Sequence, residues 1–196
     1  MKSKYVGIVS LALIAAIVAT LCDKVHVITG TLYYPNPSID GQPWSTLPGF
    51  FVVFITMGLV YDQLVKWLPD SIGRSFSTSS GNYKDFTESM LLFAFVYILS
   101  GFGNDYPSLL NGLFYTSFIL RLIISPDRIF TLILRMILGL GGIFGEGFLS
   151  SLDLFTTRNR FSFMFLPGWL VFIYTVPLRL ETACDFFVSA EIKGQF

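Results

Sequence analysis

Long apolar runs that are almost free of charge recur along this chain, and they limit its possible folds more than any motif does. The runs cover residues 5–22, 44–68, 86–102, 107–125, 128–150 and 161–180. An α-helix rises about 1.5 Å per residue, so about 20 apolar residues cross the hydrocarbon layer of a bilayer. In lipid the backbone must satisfy its own N–H and C=O groups, which leaves helices as the natural way to span. The expected fold is all-α: a polytopic membrane protein built as one domain, residues 1–196, with a bundle of six transmembrane helices. Composition agrees and excludes the alternatives. Only 13% of residues are charged, about half the share of a soluble domain. Thirteen Lys and Arg balance thirteen Asp and Glu, so the basic excess of a nucleic-acid binder is missing. Two cysteines cannot make a disulfide scaffold, and 21 phenylalanines exclude a disordered chain.

The first run follows Lys2 and Lys4 as the core of a signal peptide would. Cys22-Asp23-Lys24 offers no A-x-A-like cleavage site, so the run reads as a retained helix. Six spans put both termini on one side. Lys2, Lys4, Lys66, Arg74, Lys84, Arg128, Arg179 and Lys193 then share that side, with Arg121 and Arg135 close to it. Only Lys24, Arg158 and Arg160 fall opposite. The basic side faces the cytoplasm, so both termini are expected there.

Among the connections, residues 23–43 are expected as a long non-cytoplasmic loop, because Pro35 and Pro37 exclude regular helix around Tyr33 and Tyr34. The Ser- and Thr-rich stretch within residues 69–85 reads as a cytoplasmic tether. Residues 103–106 and 126–127 read as tight turns.

Few residues invite chemistry. Cys22 and Cys184 fall on opposite sides of the bilayer and cannot pair. Cys184 is a free thiol or, being juxtamembrane, a palmitoylation site. His26, the only histidine, reads first as a solvated loop residue and second as a general base near Asp23. It cannot build a metal cluster alone, and no metal or cofactor motif is present. Arg121 lies near enough to a helix end to snorkel. Glu146, between Gly145 and Gly147, is either a carboxyl lining a cavity or an interfacial group. Gly141 and Gly145 form a G-x-x-x-G pair, which serves close helix packing or opens a cleft for a flat apolar ligand. An interior with so few polar groups suits an apolar ligand better than an ion.

Taken segment by segment, the chain resembles the Insig family of sterol-regulatory membrane proteins. The second run carries Trp44, Pro48 and Gly58-Leu59-Val60-Tyr61 followed by Asp62. The fourth ends at Ser125-Pro126-Asp127-Arg128, like the family's Asp-Arg turn. The fifth is glycine-rich, and the sixth opens at Phe165-Leu166-Pro167 and ends near Arg179-Leu180. Ile123-Ile124 stand where animal members carry paired tryptophans, and Asn111 falls about one residue from the position of a family glutamine. The resemblance implies a non-enzymatic regulator that binds an oxysterol, a sterol or a diacylglycerol-like lipid among its spans. It implies docking onto membrane proteins with sterol-sensing domains, to control lipid homeostasis. The expected membrane is the endoplasmic reticulum in a eukaryote and the plasma membrane in a prokaryote. The expected lipid liners are Phe114, Tyr115 and Phe118 on the fourth span and Gly141, Gly142 and Gly145 on the fifth. Asp127 and Arg128 are the expected partner contacts, Asp127 serving equally as an N-cap of the fifth helix. The alternative is a membrane enzyme acting on an isoprenoid or sterol, with Glu146, Asp105 and His26 as acid–base groups. A transporter would need a polar path that the sequence scarcely supplies.

Overall fold

The computed structural model describes residues 2–67, 83–124 and 128–157. The run at 161–180, Asp127, Cys184 and the serine-rich tether lie outside the described residues. Among the described residues there are five long helices: α1 (Lys2–Ile28), α2 (Thr46–Trp67), α3 (Tyr83–Phe102), α4 (Pro107–Ile124) and α5 (Arg128–Ser151). Three of them contain stretches long and apolar enough to cross a membrane: Tyr5–Ile28, Thr46–Leu64 and Leu132–Ser151. The chain is an all-α membrane protein.

Small side chains explain why α1 sits at the centre. Ala12, Ala15, Ala16 and Ala19 are buried along one face of α1, together with Ile8 and Leu11. Residues three and four apart share a helix face, and alanine lets neighbouring backbones approach closely. Phe54, Met57 and Tyr61 of α2, Phe93 of α3, and Leu134 and Leu138 of α5 fill that face. The other side of α1 exposes Tyr5, Val9, Leu13, Ile17 and Leu21. Apolar side chains pointing outward are what lipid contact requires, since lipid tails are no worse a solvent for them than the protein interior. A second cluster joins α3 to α4 through Val96, Leu110 and Phe114, with Phe118 packed against it. The connection is the short 3-10 turn Gly103–Asp105, and Pro107 opens α4 where its missing N–H costs nothing.

The expected loop at 23–43 is corrected in its first part. The first helix continues past residue 22 to Ile28, carrying Asp23, Lys24 and His26 as helical residues. Asp23 and His26 are tolerated because distant parts of the chain hydrogen-bond them, as described below. What remains is a strap, residues 29–45. Asp40 and Gly41 both have positive φ (50° and 85°), and Ile39 pairs with Gln42 across them. This is a two-residue hairpin turn, which Asp-Gly adopts readily. Further back, β1 (Leu32–Tyr33) pairs antiparallel with β2 (Thr156–Thr157). The strap is thereby tied to the chain leaving α5.

Glycine positions differ sharply in the space around them. A Cβ at Gly112 on α4 would meet no described atom within 4 Å. Alanine there is expected to stabilise α4 by about 0.5–1 kcal/mol, the usual helix-propensity gain, read as a raised unfolding midpoint in detergent.

Candidate functional site

The expected lipid-lining residues do not share one environment. Phe114 is buried against α3, whereas Tyr115 on the next position is exposed. Phe118 is half-buried, and the Arg135 guanidinium of α5 lies over its ring at 5.1 Å. Arg135 is itself 1% exposed. A buried guanidinium against an aromatic face recovers part of its desolvation cost by cation–π attraction. Gly141 and Gly145 are exposed, and a Cβ on either would meet no described atom within 4 Å. Gly142 is half-buried. Close packing of the described helices is therefore the work of the α1 alanines, not of the α5 glycines. Among the described residues, Tyr115 of α4 and Gly141 and Gly145 of α5 are exposed positions on apolar helices.

Arg128 is exposed at the start of α5, and its Nη2 donates to the Ile123 carbonyl at 2.8 Å. A cation on the last carbonyls of α4 offsets the negative end of that helix. At the same end of the bundle as Arg128, Lys66 donates to Asp62 at 2.6 Å, one turn away on α2. That hydrogen bond is the main reason the Lys66 ammonium titrates above its ordinary range.

A second, polar constellation sits at the opposite end, where the strap crosses α1. Asp23 is 3% exposed. Its Oδ2 accepts from the Tyr34 hydroxyl at 2.8 Å and from Gln42 Nε2 at 2.7 Å, and its Oδ1 accepts from the Tyr97 hydroxyl at 3.2 Å. A carboxylate receiving several donors can stay buried at tolerable cost. Burial, reinforced by the Asp23 charge, pushes the Tyr34 phenol far above its usual range, so it remains a donor. Glu146 of α5 also acts electrostatically on Tyr34, so it belongs to this end of the bundle.

His26 is not a solvated loop residue. It lies on α1, with Nε2 at 2.9 Å from the Tyr97 carbonyl and 2.9 Å from Ser100 Oγ. Ser100 Oγ donates to the same carbonyl at 2.6 Å. A carbonyl only accepts, so Nε2 carries the ring proton. The imidazole also stacks obliquely on the Tyr97 ring, centroids 4.8 Å apart. Close approach here depends on Gly101, whose Cβ would come within 2.9 Å of His26 Cδ2. Of the suggested acid–base trio, His26 and Glu146 belong to this end, while Asp105 is exposed on its 3-10 turn. Sequence reasoning missed Asp23, Tyr34, Gln42 and Tyr97 as one unit. The readable signal was Asp40-Gly41, which folds the strap back so that Gln42 reaches α1.

No known protein family matches this chain by profile, and no curated protein matches it by sequence. Its fold does have solved counterparts: two crystal structures of MvINS, a mycobacterial Insig homologue from Mycobacterium vanbaalenii, one of them a cross-linked trimer. Each superposes with a TM-score of 0.66 and 16% identity, covering 95% of both chains. This chain has the fold of an Insig homologue over nearly its whole length.

Proposed function

We propose that this protein is an Insig-like membrane regulator that binds an apolar lipid and docks onto membrane partners. The observation that carries the reading is the likeness to the mycobacterial Insig homologue across 95% of both chains, at a level where fold persists after sequence has diverged. The local chemistry supports it. Tyr115 on α4 and the exposed glycines Gly141 and Gly145 on α5 offer side-chain-poor apolar surface, while Phe118, half-buried beneath Arg135, would line its inner edge. Such a surface takes an oxysterol, a sterol or a diacylglycerol-like molecule entering sideways from the bilayer. Bound lipid would favour one arrangement of α4 and α5, and a partner would read that arrangement at the turn bearing Asp127 and Arg128. Partners with sterol-sensing domains fit this role. The termini are assigned to the cytoplasm and the control of lipid homeostasis to the protein on the same reading.

Photo-crosslinking with a diazirine sterol and a diazirine diacylglycerol tests the site. Labelling is expected on α4 and α5, and Gly145→Leu, which fills open space, should reduce it about tenfold, as blocking an apolar pocket does. Unchanged labelling in Gly145→Leu would remove these helices from the site. Asp127→Ala tests the second half. It is expected to leave lipid labelling intact and to abolish co-purification of a partner carrying a sterol-sensing domain. Loss of lipid labelling with partner binding intact would contradict the assigned role.

A further inference from the structure

The strap between α1 and α2 crosses α1 at the turn that bears the buried Cys22, which is 4% exposed. Gln42 Nε2 reaches both the Thr20 carbonyl, at 3.2 Å, and Asp23 Oδ2. Tyr34 bonds the same Oδ2, and its ring packs edge-on against Phe155 beyond α5. Thr31, Leu32 and Gln42 are buried, although they belong to a connection. Gly41 lies close enough to α1 that a Cβ there would come within 2.8 Å of Val27 Cγ1. Two side chains of the strap thus converge on one oxygen of one helical carboxylate. Tyr97 of α3 holds the other oxygen.

We propose that this strap is a lid bolted by Asp23, and that it seals this end of the bundle against water. The seal leaves the lateral faces as the way in for any apolar ligand. The bolt is made by Tyr34 and Gln42, whereas the Tyr97 hydroxyl ties α3, not the strap, to Asp23. Ordinary loops lack such a device, because their backbone polar groups are turned to solvent.

Cys22 is a built-in reporter. In a full-length Cys184→Ser background, purified in detergent, reaction with a charged maleimide reports how often the lid opens. The parent is expected to react slowly. Tyr34→Phe combined with Gln42→Leu removes both bolt bonds and should speed labelling of Cys22 about tenfold or more, since hydrogen bonds to a charged group contribute more than neutral ones and local opening follows their loss. Tyr97→Phe should label within about twofold of the parent, because the lid stays shut. Tyr34→Phe alone keeps the ring on Phe155 and carries the test if the double variant loses its helical circular dichroism. Parent-like labelling in the folded strap variants would overturn the proposal. So would Tyr97→Phe labelling as fast as they do, which would show general loosening instead of a lid. The readout needs no lipid, so its failure would leave the lipid-binding reading standing.

Discussion

Replacing Asp23 with alanine lowers the stability of the purified protein by about 3–5 kcal/mol, the sum expected when several buried donors lose a charged acceptor. Asp23 is buried and receives Tyr34, Gln42 and Tyr97. Alanine removes the acceptor and leaves two phenolic hydroxyls and an amide without it, around a position that is buried. Leaving such groups unsatisfied costs more than the bonds themselves contributed. Asp23→Asn should cost less than alanine, because one carbonyl oxygen remains, but it turns an NH2 toward groups that also donate. The expected order of unfolding midpoints is parent, then asparagine, then alanine. Equal midpoints for the parent and Asp23→Ala would mean that the carboxylate holds nothing together.

A valine at Gly101 is the second large effect. Here α3 passes α1 with no room for a side chain. A Cβ would stand 2.9 Å from His26 Cδ2, and 3.4 Å from both Thr29 Oγ1 and Val25 Cγ1. The imidazole cannot retreat freely, because its Nε2 is held by the Tyr97 carbonyl and by Ser100. Thr31 Oγ1 also donates to the Gly101 carbonyl at 3.2 Å, pinning the backbone. Overpacking of this kind costs about 1–3 kcal/mol, and valine, being β-branched, should lie at the upper end. His26→Ala in the same chain should recover part of the loss by vacating the contact. The opposite sign is expected at Gly112, where the space is open, so the two glycines provide an internal contrast measurable in one thermal series.

The five described helices were legible because a bilayer demands length and apolarity, both of which are local properties of sequence. The ends of α2, α3, α4 and α5 fall within a few residues of the ends of the apolar runs. The end of α1 was not legible. Asp23, Lys24 and His26 look like the start of a loop, and local rules have no means of seeing otherwise. Asp23 is made acceptable by donors 11, 19 and 74 residues away. Those contacts exist only once the strap has folded back and α3 has packed. The glycines of α5 stand apart from the close contacts of the described helices. Gly141-x-x-x-Gly145 advertised tight packing, while the close helix contacts among the described residues are made by Ala12, Ala15, Ala16 and Ala19, an equally small but less conspicuous stripe. Arg135 shows the reverse. A charge two turns inside a span signals an internal position, and the guanidinium is indeed buried, over the ring of Phe118.

Asp127 lies outside the described residues, and its proposed part in docking rests on the Asp127-Arg128 sequence and on the family resemblance. Arg128 carries a local duty at the end of α4 in any case. Arg128→Ala is therefore expected to weaken the α4 terminus slightly as well as any partner contact, and Asp127→Ala is the cleaner probe.

Native mass spectrometry of the protein, released from detergent after gentle extraction from its membrane, weighs the central claim directly. The account predicts a bound apolar lipid of sterol or diacylglycerol type at a fixed ratio to the chain, retained through gel filtration and depleted in Gly145→Leu. A chain that flies bare, or that carries only a random sample of bulk phospholipid unchanged by Gly145→Leu, would contradict it.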